Sequence, residues 1–117
     1  MLLCLLKSKL HHARVTDTRL EYQGSLTLDE ELMEKAGIVP YEQIHVYNLE
    51  NGERFETYVI PGPRGEGGVV VNGAAARLAA TGDRIIIAAY TYLTPEEARE
   101  HRPRVLILGP DNQILSS

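Results

Sequence analysis

Residues 44–60 read IHVYNLENGERFETYVI, and this stretch decides what kind of chain this is. Two runs rich in β-branched and aromatic residues flank Asn51-Gly52. An Asn-Gly pair between such runs is the strongest short-range signal for a β-hairpin, because both residues tolerate the positive φ that a tight turn demands. Working outward, the same punctuation recurs. PGPRGEGG (61–68) is a turn rich in Gly and Pro, VVVN a brief strand, GAAARLAATG a short helix or turn, and DRIIIAAYTYL a buried strand. RVLILG is one more short strand, followed by a GPDNQ turn and a frayed end.

Upstream, residues 2–15 read as one long strand or two joined at a bend, with the start MLLCLLKSKL as a buried strand. Leu20 to Leu28 is a second extended run, interrupted at Gly24. Asp29 can cap a short helix, EELMEKA, with Leu32, Met33 and Ala36 as its apolar stripe and Gly37 as its exit. A further helix begins at Thr94-Pro95, with Glu97 placed to close a capping box. Many short strands and two or three small helices predict a mainly β fold, a closed or nearly closed barrel.

The bulk numbers agree. A chain of 117 residues with 44% hydrophobic content is one domain, residues 1–117, with one real core. A net charge of −4 gives no electrostatic reason to seek nucleic acid. The apolar start lacks a basic region before it and a small-residue cleavage pattern behind it, and it is too short to span a bilayer. One cysteine, Cys4, excludes an internal disulfide framework. A cytoplasmic protein without membrane or nucleic-acid partners is expected.

The chemistry-bearing stretch is EYQGSLTL (21–28). Gly24-Ser25 inside a strand-like run reads most simply as a bulge or turn. Its sharper reading is self-cleavage: the Ser25 hydroxyl attacks the Gly24 carbonyl and converts the amide to an ester. Elimination and hydrolysis then leave a pyruvoyl group at the new chain start. Glycine suits the first position because it permits unusual dihedrals and leaves its carbonyl open.

Other residues carry bland and sharp readings side by side. Arg54 has the planar fork that matches a carboxylate, but a strand arginine after a turn is ordinarily solvated. Strand alternation sets Arg54, Glu56 and Tyr58 on one face and Thr57 on the other. Lys7, Lys9 and His11 alternate as a positive stripe along the first strand. Asn72-Gly73-Ala74-Ala75 opens a helical turn whose small side chains let a ligand approach the backbone, or simply pack tightly. His11-His12, His45 and His101 make no metal set, since neighbouring strand residues face opposite ways. No metal is expected.

Taken together, KSKLHHARVT, LEYQGSLTLD, AGI, NGERFETYVI, VVNGAAA and TGDRIIIAAY follow one another as in the aspartate alpha-decarboxylase family, which the chain resembles over nearly its whole length. The resemblance implies a small double-psi β-barrel, with Gly82-Asp83 as its Gly-Asp turn. It implies cleavage between Gly24 and Ser25 into chains 1–24 and 25–117, and a covalent pyruvoyl cofactor derived from Ser25, with no pyridoxal phosphate. It implies decarboxylation of L-aspartate to β-alanine through a Schiff base, serving pantothenate synthesis. It further implies a homotetramer with sites between subunits, and leaves open whether an accessory maturation protein is required.

Residue by residue, the resemblance makes Ser25 the pyruvoyl precursor and Tyr58 the proton donor. Arg54, Thr57, Gly73, Ala74, Ala75 and Lys9 bind substrate, with Asn72, His11 and Tyr22 in support. Tyr58 and Thr57 cannot face one site from a regular strand, so a bulge there, or contributions to different subunits' sites, is expected. Two other classes stay open on the residues alone. One is an autoprocessing amidohydrolase that keeps Ser25 as an N-terminal nucleophile. The other is a non-enzymatic barrel binding a partner or nucleic acid, against which the lack of tryptophan and the lone Phe55 speak.

Overall fold

A computed structural model describes residues Met1 to Ser117. In chain order the elements are β1 (Leu3–Arg14), β2 (Asp17–Arg19), β3 (Ser25–Asp29), α1 (Glu30–Ala36), β4 (Gln43–Asn48) and β5 (Arg54–Gly62). After these come β6 (Val69–Asn72), a 3-10 turn (Gly73–Arg77), β7 (Arg84–Leu93), α2 (Pro95–Glu100), β8 (Arg104–Leu108) and β9 (Ile114–Ser116). The expected mainly β chain with two short α-helices and one tighter turn is what forms.

Strands pair in the order β2-β6-β3-β5-β4-β7-β1-β8-β9. Only Val15 and Thr16 separate β1 from β2, so the two ends of the run β2 to β1 are one piece of chain and the sheet closes on itself. The junction is stitched by backbone bonds. Val15 N–H donates to the Asp83 carbonyl (2.9 Å), Gly82 N–H to the Val15 carbonyl (2.7 Å) and Thr16 N–H to the Val69 carbonyl (2.8 Å). The Gly82-Asp83 turn ahead of β7 forms as expected, with Gly82 at φ +96°. The result is a small β-barrel, with β8 and β9 continuing beyond the junction at β1.

Leu10, Ala13, Val15, Leu26, Leu28, Ile44, Val46, Val59, Val69, Val71, Ile85 and Ile87 fill the interior. Fully burying one Leu or Ile among them contributes roughly 1.5–3 kcal/mol. Helix α1 adds Leu32, Met33 and Ala36 to this core, capped by Asp29 and ended at Gly37 in the left-handed region. Helix α2 has its full capping box between Thr94 and Glu97.

Several local expectations change. Met1 to Cys4 are exposed rather than buried, because β1 there pairs only with the far end of β7 (Leu3 with Leu93, Cys4 with Tyr92). For the same reason β7 is buried only in its first half, and Tyr92 is 69% exposed. The chain end is not frayed, since β9 pairs with β8. The hairpin forms, but its loop runs over residues 49–53 and is organised by Asn48, whose Oδ1 accepts the Glu50 N–H. Finally, 20–24 is a turn rather than strand, and β3 starts at Ser25 itself.

Candidate functional site

The turn ending at Gly24 changes how the Gly-Ser junction is read. Glu21 to Gly24 are exposed, whereas Ser25 is 2% exposed, so the chain passes from solvent to interior across one peptide bond. Ser25 pairs with Asn72 in the antiparallel β3–β6 ladder. Its hydroxyl donates to the Gln23 carbonyl (3.4 Å) and accepts from Asn72 Nδ2 (3.0 Å). The second Nδ2 proton of Asn72 goes to Thr27 Oγ1 at 2.9 Å, and Asn72 Oδ1 is buried without a partner. A buried acceptor left open is uncommon in a folded chain.

Gly24 adopts no left-handed φ, and a Cβ built on it meets nothing within 4 Å. The strained-dihedral argument for glycine therefore does not apply at Gly24. It applies at Gly73, which lies at φ +73° and whose Cβ would fall 2.7 Å from Gly24 Cα and 3.2 Å from the Tyr22 carbonyl. Gly73 is buried, Ala75 packs against the core and Ala74 is exposed beside them. Tyr22 itself is 52% exposed. Thus Gly24, Ser25, Asn72 and Gly73 form one group, with Tyr22, Ala74 and Ala75 at its margin.

A second group lies on the outer face of β4, β5 and β7. Arg54 pairs across the hairpin with Tyr47, and its guanidinium carbon stands 4.2 Å from the centre of the Tyr47 ring. Tyr47 Oη shares a 2.7 Å hydrogen bond with Tyr90 Oη. Burial, then the bond to Tyr90, push the Tyr47 hydroxyl up to about 12. Lys9 joins Leu6, Tyr47, Ile86, Ala88 and Tyr90 around a cavity of about 200 Å³. A lysine over an apolar floor, with Arg54 stacked on the Tyr47 ring at its edge, suits a small anion with a carbon skeleton.

The β4–β5 register runs without a shift from Gln43–Tyr58 to Tyr47–Arg54. No bulge brings Thr57 and Tyr58 to one face: Tyr58 is exposed beside Arg54's face, and Thr57 is half-buried on the other. No hydrogen bond or ion pair joins the Arg54 group to the Ser25 group within one chain.

On β1 the positive stripe is broken by two irregularities. A register shift between Leu6 and Ser8 turns Lys7 to Glu42, at 2.9 and 2.8 Å from its two carboxylate oxygens. A second shift falls between Leu10 and Ala13, with His12 at φ 65°, and it stacks the His11 and His12 rings 4.0 Å apart. The expectation that these neighbours face opposite ways is therefore overturned. Burial first, then the charges of His12 and Lys9, lower the pKa of His11, whose Nδ1 is buried without a partner.

Thr27, Tyr47 and Tyr90 were missed in the sequence. The first two were accessible: Thr27 is two residues from Ser25 on the same strand face, and Tyr47 is the hairpin partner of Arg54.

Fold and site together define a small closed β-barrel whose polar chemistry is assembled at a buried Ser25 directly behind an exposed glycine. The family model described as aspartate decarboxylase matches residues 1–115, and the chain belongs to that family. It is 54% identical over 112 residues to the aspartate 1-decarboxylase of Salinibacter ruber, covering 96% of this chain and 77% of that one. With that of Caldicellulosiruptor saccharolyticus the identity is 54% over 115 residues, 98% of this chain and 90% of the relative. With that of Syntrophobacter fumaroxidans it is 56% over 112 residues, 96% and 90%.

Proposed function

We propose that the chain cuts itself between Gly24 and Ser25 and then decarboxylates L-aspartate to β-alanine, the reaction that feeds pantothenate synthesis. The observation that carries this reading is the 3.0 Å hydrogen bond from Asn72 Nδ2 to the buried Ser25 Oγ, directly behind an exposed Gly24. In the cut, Ser25 Oγ bonds to the Gly24 carbonyl carbon while the C–N bond breaks and the nitrogen takes a proton. Loss of the Ser25 α-proton then expels the Gly24 carboxylate with the 1–24 chain, and water releases ammonia to leave a pyruvoyl group on 25–117.

The Ser25 surroundings fit that group: Oγ leaves with the Gly24 carboxylate, and the position it vacates is buried, with the Asn72 carboxamide still beside it as a donor in a dry spot. Such a ketone supplies an electron sink for the electrons released with carbon dioxide. Everything else falls to side chains. Arg54 grips the carboxylate that stays, held flat by its stack on Tyr47, and Lys9 adds positive charge to the wall. Tyr58 returns a proton to carbon. Gly73, Ala74 and Ala75 admit the substrate close to the backbone, while Thr57, His11 and Tyr22 shape the surroundings. With Thr57 and Tyr58 on opposite faces of a regular β5, contributions to different subunits' sites in a homotetramer account for both.

Intact mass spectrometry with a carbonyl-trapping reagent tests the reading. Expected are two fragments, 1–24 and a 25–117 chain that takes up the reagent, and a single uncut, inactive chain for Ser25→Ala. A 25–117 fragment with a free N-terminal serine would instead support an amidohydrolase, and an uncut wild-type chain would remove the proposal. No helix is long and apolar enough to cross a membrane.

A further inference from the structure

The carboxamide of Asn72 is 1% exposed and has two side-chain partners, Ser25 Oγ at 3.0 Å and Thr27 Oγ1 at 2.9 Å. With Ser25 alone as partner, the amide could swing about its last torsion, which is broad for asparagine. The bond to Thr27 closes that freedom and fixes the direction in which Nδ2 meets Ser25. Thr27 is itself pinned. A Cβ on Gly62 would lie 2.8 Å from Thr27 Cγ2, so the methyl fills the space glycine leaves, and the hydroxyl of this stiff β-branched residue is turned to Asn72.

We propose that Thr27 is a positioning residue for self-cleavage: through Asn72 it holds Ser25 Oγ in the attitude from which it reaches the Gly24 carbonyl. This rests on the cleavage reading above. A role in positioning predicts a loss in the rate of cutting, because attack requires alignment to within fractions of an ångström. Turnover by chains already cut depends on it less, since the Ser25 hydroxyl no longer exists there.

The test compares wild type, Thr27→Val, Thr27→Ser and Gly62→Ala as full chains, following cleavage over time on denaturing gels and turnover in the cut fraction. Thr27→Val keeps the shape and removes the hydroxyl, and is expected to slow cutting roughly tenfold, equivalent to about 1.36 kcal/mol. Thr27→Ser keeps the hydroxyl and should cut within about threefold of wild type. Gly62→Ala displaces the Thr27 methyl while leaving every polar group in place, and is expected to slow cutting in the same direction. If Thr27→Val and Gly62→Ala cut at the wild-type rate, positioning by Thr27 is overturned while self-cleavage stands. Equal slowing by Val and Ser also overturns it, since the hydroxyl then plays no part. If wild type itself stays uncut, both readings fall together.

Discussion

Gly73 and Gly24 touch: a Cβ on Gly73 would lie 2.7 Å from the Cα and 2.9 Å from the N of Gly24. The turn that opens the NGAAA segment is thereby pressed against the residue before Ser25. Distances under 3.0 Å cannot be met by small side-chain shifts when the opposing atoms are backbone. The two glycines are consequently not equivalent, although both flank the same junction.

Gly73→Ala meets both a positive φ and this clash, so it should cost about 1–3 kcal/mol in stability and displace the 22–24 segment. Gly24→Ala has open space and no left-handed φ, and its folded stability should stay within about 0.5 kcal/mol of wild type. Urea unfolding of both variants on an uncut Ser25→Ala background checks this. Equal losses would contradict the geometry.

The Tyr47–Tyr90 hydroxyl pair predicts a binding effect. Tyr90→Phe removes the 2.7 Å bond that steadies Tyr47 beneath Arg54. The expected result is a KM for L-aspartate raised several-fold, roughly 3–10-fold, with kcat nearly unchanged. Arg54→Ala, which removes the grip itself, should raise KM by roughly a hundredfold. Because the Tyr47 hydroxyl is held up to about 12, burial being the first cause, it stays neutral through the usual assay range and adds no alkaline limb there.

Acid stability has a named contributor in Asp29. Burial pushes its carboxyl up, but N–H bonds from Gly65, Gly67 and Glu31, with Arg64 nearby, outweigh that and leave it below its ordinary value of 3.8. A depressed folded pKa means the stabilisation is complete above the unfolded value and is lost as pH falls through the folded one. Asp29→Ala should therefore destabilise by roughly 1–3 kcal/mol near neutrality, and the gap to wild type should close in strong acid. Denaturation midpoints followed from pH 7 downward report it. A gap that widened with acid would reverse the sign.

How much was legible depended on whether a residue's conformation is set nearby or far away. The Asn51-Gly52 hairpin, the Asp29 and Thr94 caps and the Gly37 exit are local arrangements, and each was read correctly from neighbouring residues. The hairpin's loop length was not, because Asn48 is also tied to Leu78 and Asp83 across the fold. The bulges at Lys7 and His11-His12 arise from pairing with β7, which no alternation within β1 records. Asn72 and Gly73 could be named from resemblance, but the requirement at Gly73 comes from Gly24, on a different strand connection. Thr57 and Tyr58 were seen to face apart by alternation alone, and the regular ladder keeps them so.

That last geometry leads to a subunit-mixing prediction. Within one chain Arg54 stacks on Tyr47 over the outer face, while Ser25 is bound to Asn72 at the start of β3. If each site takes Arg54 from one subunit and Ser25 from its neighbour, Arg54→Ala and Ser25→Ala are defects on opposite sides of the same site. Assayed at L-aspartate well below the KM of Arg54→Ala, each variant alone should be almost inactive. Assembled together at equal amounts, half the subunits supply an intact Ser25 and half an intact Arg54. Random mixing then restores about a quarter of the sites to wild-type composition. Co-expression with two different tags, followed by tandem purification and a carbon dioxide release assay, measures the recovery. Sites built wholly within one chain would give none, because no chain in the mixture carries both residues.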